Sequence, residues 1–219
     1  MTIPNQIFIG CPWLEEIMGK YLSVREKLRR THPISFVIVG KNKNRSADDL
    51  YSKIKSNIRA STRAVFDVSY GNPNVSLEYG FADGQNLKCD LHSYTGNPEK
   101  LTAHGEPAII TDLKGKIRNV YKEESGLEKL LRDICEEHNY TTRFDNFIRK
   151  KKYNASNREL ALRIIHCLDE YSERQKHHID LAVVPDFKQA EVNNMLKSLH
   201  AEGLIQCLGL EDSTPITIN

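Results

Sequence analysis

Short apolar runs of β-forming residues alternate with helical patterns over most of the sequence, and this alternation restricts the fold more than any other feature. The runs expected to form strands are residues 7–9, 34–39, 64–68, 88–94 and 108–111. Between them apolar residues recur every three or four positions, as in Leu50, Ile54 and Ile58, which indicates helices. Strands that alternate with helices form βα units with parallel strands. The sequence therefore predicts an α/β fold, with a doubly wound, mainly parallel sheet in flavodoxin-like order.

The character of the sequence changes after residue 142. The stretch RFDNFIRKKKYNASN, residues 143–157, is basic and polar and has no long apolar period. We expect a basic linker at 143–156, between an α/β domain at 1–142 and a smaller domain at 157–219. In that smaller domain, helical stripes within 160–171 and 187–200 precede an apolar run at 204–208. Helix, connector, helix and β-wing form the outline of a winged helix-turn-helix.

The distribution of charge bears on what the smaller domain binds. Residues 154–219 hold six lysines and arginines against ten acidic residues, a net charge of −4, whereas the rest of the chain carries +6. DNA affinity depends on neutralising phosphates, and the expected recognition helix offers only Lys188 and Lys197. The sequence therefore favours dimerisation or docking of a protein partner over DNA binding. DNA binding remains the alternative because of the basic run RKKK at 149–152. The other interpretation of this run is a solvated linker.

Composition and cysteine usage indicate a cytoplasmic protein. No apolar run approaches the roughly 18 residues that cross a bilayer, so no membrane contact is expected. The start, MTIPNQIFIGCPW, has no basic region followed by an apolar stretch and a cleavage site. The five cysteines are scattered and never spaced as CxxC, which argues against a disulfide framework and against a zinc site.

One strand–turn–helix stretch, AVFDVSYGNPNVSLEYGFADG at residues 64–84, directs two carboxylates toward one place. Asp67 closes the strand, at the edge where open α/β sheets bind their ligands. Asn74 is expected to cap the following helix, and Glu78 lies one turn inside it. The helical face of Glu78 is mostly apolar and is shared with Val75, Phe81, Ala82 and Gln85. The loop after the first strand, Gly10-Cys11-Pro12, is expected at the same edge.

Two carboxyl groups in such a place suit the chemistry of glycosidic bonds. A carboxylate in a partly apolar cleft can attack an anomeric carbon or stabilise its oxocarbenium-like transition state. A second carboxyl group can protonate or hydrogen-bond the leaving base. The alternative is structural: Glu78 complements the helix dipole and Asp67 caps a turn.

The run FDVSYGNPNVSLEYGFADG resembles the strand–turn–helix motif of the nucleoside 2-deoxyribosyltransferase-like fold, and is similar to that of the TIR-like nucleotide-binding domains of bacterial defence proteins. IFIGCP resembles the first strand and loop of that fold, and the likeness covers about residues 7–140. It implies that Glu78 is the catalytic glutamate that attacks the sugar carbon and that Asp67 contacts the base. Asn72 matches a phosphate-contacting residue of related nucleotide hydrolases. The full set of substrate-binding residues expected in this chain is Gly10, Cys11, Pro12, Asn72 and Asn74.

The resemblance implies cleavage of an N-glycosidic bond in a nucleoside, a nucleotide or NAD, without a metal or other cofactor. It also implies a homo-oligomer and a place in stress or antiphage defence. This sequence departs from the family pattern at two positions. Tyr79 replaces the leucine that follows the glutamate in the family, and Phe8 replaces the tyrosine that orients the glutamate in the transferases. Phe8 favours a second hypothesis, a non-catalytic nucleotide-sensing module that signals through the winged helix as regulator or adaptor.

Other residues allow two interpretations each. Lys41, Lys43 and Arg45 follow the second strand and could meet phosphates, or form a solvated loop. Trp13 could stack on a base or cap the core. His104 and Asp112 flank the last predicted strand, at the pocket edge or in solvated loops. His177 and His178 are interpreted as a connector turn rather than as metal ligands.

Overall fold

The computed structural model describes residues 2–40, 47–97, 99, 115, 117–170, 175–207 and 209–219. The chain forms two compact units. The first unit comprises Met1–Lys27 and Phe36–Asp133, and the second comprises Leu28–Ser35 and Ile134–Asn219. The segment Leu28–Ser35 ends a helix and leads into a strand, yet its contacts place it in the second unit.

A five-stranded sheet organises the first unit. Its strands are β1 (Gln6–Gly10), β2 (Ser35–Ile38), β3 (Arg63–Asp67), β4 (Lys88–Tyr94) and β5 (Asn119–Tyr121). The strand order is β2-β1-β3-β4-β5, and β1, β3, β4 and β5 pair with one another in parallel. This order confirms the predicted doubly wound sheet of flavodoxin-like topology.

Among the described residues, helices and one 3-10 turn lie between the first four strands, and a further helix follows β5. They are α1 (Glu15–Arg29), α2 (Ala47–Ala60), the 3-10 turn Ser69–Gly71, α3 (Pro73–Gly84) and α4 (Glu124–Glu136). The predicted stripe of α2 is buried at Ile54 and Ile58, where it joins Phe8, Phe66 and Ala82 in one core cluster. Burying such apolar side chains contributes roughly 2 kcal/mol each, so this core fixes α2 and α3 on one face of the sheet.

The fifth strand lies where the sequence analysis did not predict one. The predicted run at 108–111 lies outside the described residues, and the strand that pairs with β4 is Asn119–Tyr121. Only Tyr121 of these three residues is buried, and Val120 is more than half exposed. A three-residue edge strand with one inward side chain has too little periodicity to be recognised from sequence.

The cap of α3 is Asn72, so the prediction of Asn74 as the cap was wrong. The Oδ1 atom of Asn72 accepts hydrogen bonds from the backbone N–H groups of Asn74, at 3.0 Å, and Val75, at 3.3 Å. Pro73 occupies the first helical position, where its fixed φ suits the helix and no N–H is required. The helix therefore begins two residues earlier than predicted.

The second unit contains helices followed by a small antiparallel sheet. Its elements are α5 (Asn139–Lys150), α6 (Ala155–Glu170), α7 (Lys176–Val183), α8 (Gln189–Ala201), β6 (Ile205–Cys207) and β7 (Ile216–Ile218). β6 pairs with β7, and an isolated bridge joins Gln175 to Pro215. The helical stripes and the strand predicted for this part of the chain are therefore present.

Two helices of the second unit occupy segments that were predicted to be irregular. Residues 143–150, the first part of the expected basic linker, belong to α5, which buries Tyr140, Phe144 and Phe147 on one stripe. His177 and His178 lie in α7 rather than in a connector turn. The apolar periodicity of α5 begins at Tyr140, before residue 143. Because residues 143–156 were assigned to a linker from their basic character, the helix was not predicted.

None of the helices within the described ranges is long and apolar enough to cross a membrane.

Candidate active site

The carboxylate of Glu78 lies directly against the backbone of Gly10. Gly10 is the last residue of β1, and Glu78 lies in the second turn of α3. A Cβ atom built on Gly10 would be 2.6 Å from Glu78 Oε2 and 2.7 Å from the ring of Phe66. Such distances are far below van der Waals contact, so only a residue without a side chain fits between the Glu78 carboxylate and the Phe66 ring. The sequence therefore places glycine where the strand end must approach the acid.

Glu78 opens onto a cleft of about 320 Å³ bounded by α2, by the start of α3 and by the loop after β1. The lining residues are Cys11, Trp13, Leu50, Tyr51, Ile54, Asn72, Asn74, Val75, Leu77 and Glu78. This volume is at the lower end of those that hold small-molecule ligands. Glu78 is the one charged side chain among these described lining residues, so the cleft pairs a single acid with aromatic, aliphatic and amide groups.

Burial raises the pKa of Glu78 to about 7, because the apolar surroundings disfavour its charged form. Within the described part of the chain, no side chain donates a hydrogen bond to this carboxylate and no cation pairs with it. Phe8, which the resemblance was expected to align with the orienting tyrosine of the transferases, is buried and packs on Phe66 with ring centroids 5.9 Å apart. It has no hydroxyl to offer, and among the described residues burial is the cause of the raised pKa of Glu78.

The predicted loop residues Gly10, Cys11 and Pro12 are all buried, and Cys11 lines the cleft. Burial raises the pKa of the Cys11 thiol well above its usual range, and the charges of Asp67 and Glu78 add to this effect. Cys11 therefore stays a neutral thiol between the two acids. Pro12 is not part of the lining.

Asn72 and Asn74 line the cleft in different ways. Oδ1 of Asn72 is used by the helix cap, whereas the side chain of Asn74 is exposed at the cleft. Trp13 is 39% exposed, and its Nε1 donates to the backbone oxygen of Val39 at 3.0 Å. That hydrogen bond orients the indole along the wall of the cleft.

Asp67 lies outside the cleft lining and is fully buried. Its Oδ1 accepts from the backbone N–H of Ser69, at 3.1 Å, and from the Ser69 hydroxyl. Its Oδ2 accepts from the hydroxyl of Tyr121, at 2.6 Å, and from that of Tyr21, at 3.2 Å. Burial raises the pKa of Asp67, and these hydrogen bonds oppose that rise. The structure thus brings Glu78, Gly10, Cys11, Asn72 and Asn74 together but holds Asp67 in a separate polar network.

His92 extends that network. Its Nδ1 lies 3.0 Å from the Tyr21 hydroxyl, and burial lowers the pKa of the imidazole to about 4. Since the Tyr21 hydroxyl donates to Asp67, Nδ1 of His92 is the donor to Tyr21, and the imidazole is neutral. The sequence analysis missed Tyr21, His92 and Tyr121, because no local pattern signals pairings with a residue 46 or 54 positions away along the chain.

Several predicted candidates cannot be placed at the cleft. Lys41, Lys43, Arg45, His104 and Asp112 lie outside the described residues. Leu50, Tyr51, Ile54 and Leu77 line the cleft but were not predicted as site residues. Three of these belong to α2, whose apolar stripe was recognised only as core. Across the residues that can be described, no group of three or more histidine, cysteine, aspartate or glutamate side chains could hold a metal ion.

The chain has been compared with known protein families, curated proteins and solved structures. No protein-family model matches the chain, and no curated protein matches it. Among solved structures, the chain is similar to one described as a 2-desoxiribosyltransferase from Leishmania mexicana, with 18% sequence identity and a TM-score of 0.46. The match covers 62% of this chain and 99% of that one.

Replacing Gly10 by alanine tests the close approach of Glu78. We expect Gly10→Ala to lower the free energy of unfolding by about 1–3 kcal/mol, because the added methyl group overpacks the contact with Glu78 and Phe66. We also expect the pKa of Glu78 to fall toward its ordinary value as the carboxylate is pushed outward. Denaturant unfolding and side-chain NMR titration measure the two effects.

The matched control is Gly80→Ala in α3, where a Cβ atom would meet nothing within 4 Å. Alanine is favoured over glycine within a helix by about 1 kcal/mol, so this variant should be as stable as the parent or more stable. Equal effects of the two substitutions would contradict the proposed contact.

Proposed function

We propose that the protein cleaves the N-glycosidic bond of a nucleoside or nucleotide, NAD included, with Glu78 as the nucleophile. The observation that carries the proposal is the position of the Glu78 carboxylate, desolvated against Gly10 and facing a cleft of ligand size. A pKa of about 7 leaves a large fraction ionised at neutral pH. Poor solvation makes the ionised form a better nucleophile than an exposed glutamate.

The reaction follows the two-step course of retaining glycoside hydrolases. An oxygen of Glu78 bonds to the anomeric carbon as the bond from that carbon to the base nitrogen breaks. The electron pair of the broken bond goes to the base: a neutral nucleoside base then takes up a proton from solvent, whereas the cationic nicotinamide of NAD leaves as a neutral molecule without one. Water, or a second base in a transfer reaction, then attacks the same carbon and frees the carboxylate, and the attacking group loses its proton to solvent. No electrons are exchanged with a cofactor.

The lining of the cleft suits a ligand that is part aromatic and part hydroxylated. Trp13 and Tyr51 offer aromatic surfaces on two elements, and Leu50, Ile54 and Val75 offer aliphatic ones. The amides of Asn72 and Asn74 are the polar groups for sugar hydroxyls or a phosphate. Lys41, Lys43 and Arg45 remain candidate phosphate contacts from the sequence analysis.

Replacing Glu78 tests the proposal directly. We expect the wild-type protein to release free base from at least one member of a panel of nucleosides, nucleoside monophosphates and NAD. Glu78→Gln should reduce that rate at least a hundredfold, because an amide cannot attack the sugar. Chromatography of the released base is the measurement. Base release that Glu78→Gln leaves unchanged would contradict the assignment.

The pH dependence follows from the same carboxylate. Only ionised Glu78 can attack, so the base-release rate of the wild type should rise with pH through about 7. The stability of the fold has the opposite dependence. Because the folded-state pKa is raised above the ordinary value, the folded state binds the extra proton, and stability falls as pH rises from about 4.5 to about 7. Glu78→Gln should lack this loss.

A second candidate function is nucleotide sensing without cleavage. The observation that favours it is the environment of Glu78: Phe8 supplies no hydroxyl, and no other described side chain donates to the carboxylate. A sensing domain would bind one nucleotide tightly and release no base in the same assay. Quenching of Trp13 measures that binding at the cleft, since Trp13 is the single tryptophan of the chain and lines the cleft.

We further propose that the second unit contains a winged helix-turn-helix that docks a protein partner or a second copy of the chain. Helices α6, α7 and α8, followed by the β6–β7 pair, have the element order of that fold. Lys188, which precedes α8, is exposed together with Glu191, Asn194 and Lys197 of that helix. Lys150 is paired with Glu202 at 3.0 Å. This balance of charge suits a protein surface better than DNA.

Binding to DNA duplexes tests this assignment. We expect the full chain to give no change in fluorescence anisotropy with labelled duplex DNA at about 50 mM salt, where phosphate contacts are strongest. Light scattering at the same protein concentrations should give a mass above that of one chain. Anisotropy that rises at low salt, falls by about 200 mM and is lost in Lys151→Glu/Lys152→Glu would contradict the docking role.

A further inference from the structure

The buried polar network around Asp67 has no role in the chemistry described so far. Its donors come from four places in the first unit: Tyr21 of α1, Ser69 of the 3-10 turn, His92 of β4 and Tyr121 of β5. All four residues lie in the first unit, and Asp67, Ser69 and His92 are fully buried. An ionised carboxylate accepts about four hydrogen bonds, and Asp67 already receives four. A base could gain a hydrogen bond from Asp67 only by displacing one of these donors.

The direction of the strand keeps Asp67 away from the cleft. Consecutive residues of β3 point to opposite faces of the sheet. Phe66 faces α3, since its ring packs edge-on against Tyr79 with centroids 5.7 Å apart. Asp67 therefore faces the other side of the sheet, where it meets Tyr21 of α1. Glu78 is on α3, on the Phe66 side.

The turn after β3 depends on the Asp67 network for its shape. Ser69 donates two hydrogen bonds to Asp67, and its hydroxyl oxygen accepts from the backbone N–H of Tyr94 at 2.7 Å. Tyr70 follows with φ of 61°, a left-handed conformation that is unfavourable for a residue with a side chain. These hydrogen bonds therefore hold a strained turn. The turn ends at Asn72, which caps α3 and so fixes where that helix starts.

We propose that Asp67 is a positioning residue: clamped by Tyr21 and Tyr121, it fixes the turn that sets the start of α3 and so holds Glu78 over Gly10. Asp67 then acts on the reaction through Glu78 and makes no contact with the base. Tyr121 donates to Asp67 at 2.6 Å, a shorter bond than the 3.2 Å of Tyr21, and it comes from the edge strand. Tyr121 is therefore the decisive partner.

Two measurements on Tyr121→Phe test this inference, and the first does not need catalysis. NMR titration of the glutamate carboxyl carbons, assigned with Glu78→Gln, should show the pKa of Glu78 lower than in the wild type by about one unit. The reason is that a loosened α3 exposes the carboxylate to water. Asp67 and Glu78 both act on Cys11, so the carboxyl signal of Asp67 is followed together with that of Glu78.

The second measurement rests on the proposed function. In Tyr121→Phe, kcat for base release should fall by about 10- to 100-fold, since small displacements of reacting groups have effects of that size. The KM should stay within about twofold of the wild type, and the ranking of preferred bases should not change. Asp67→Asn should have the same pattern, and the double variant should be no worse than either single variant.

Tyr140→Phe is the matched control. It removes another buried tyrosine hydroxyl, which donates to the backbone oxygen of Leu204 at 2.9 Å in the second unit. This variant should leave the pKa of Glu78 and the kinetics unchanged. Tyr21→Phe, which loses a longer bond of 3.2 Å, replaces Tyr121→Phe if that variant does not fold.

A wild-type pKa of Glu78 in Tyr121→Phe would overturn the inference. So would a changed ranking of bases in Asp67→Asn that Tyr121→Phe does not share, because that result means direct contact with the base. If the wild-type protein releases no base at all, the proposed function fails, and the titration alone decides the role of Asp67.

Discussion

The approach of the Glu78 carboxylate to the bare backbone of Gly10 determines the rest of the site. It requires a glycine at the end of β1, since a Cβ atom there would lie 2.6 Å from Glu78 Oε2. It also requires α3 to start where Asn72 caps it, because a helix displaced along its axis would carry the acid away from the strand. The result is a carboxylate with little solvent and a pKa of about 7, at the mouth of a cleft bounded by α2 and the first loop.

The two acids of the strand–turn–helix stretch have different environments and, in our account, different roles. Glu78 receives no hydrogen bond from a described side chain, so desolvation dominates its electrostatics. Asp67 receives four and is fully buried on the other side of β3. A reactive carboxylate needs oxygen lone pairs that are free to meet a ligand, whereas a structural carboxylate is most stable when all its oxygens accept hydrogen bonds. This contrast separates attack on the sugar from support of the turn.

Much of this arrangement could be predicted from the sequence. The parallel sheet followed from the alternation of strands and helices. Its strands β1 and β3 are buried at every position, as strands of a sheet covered on both faces are. Because parallel strands end at one edge, Gly10, Cys11 and Glu78 were expected together. Gly10 lies against Glu78, and both Cys11 and Glu78 line the cleft. The brief edge strand β5 and the helix α7 left too little periodicity to recognise. The saturation of Asp67 was not predictable, since Tyr21 and Tyr121 reach it from distant parts of the chain.

Attack of Glu78 on the sugar is the step on which the proposed function depends. It is tested most directly by trapping the covalent intermediate with nucleosides that carry fluorine at C2′ of the sugar, a substitution that slows its hydrolysis. Intact-mass and peptide mass spectrometry should find the mass of one fluorinated sugar on the peptide that contains Glu78, and no added mass on Glu78→Gln. A sugar attached to any other residue, or base released from these nucleosides without any adduct in the wild-type protein, would contradict the account.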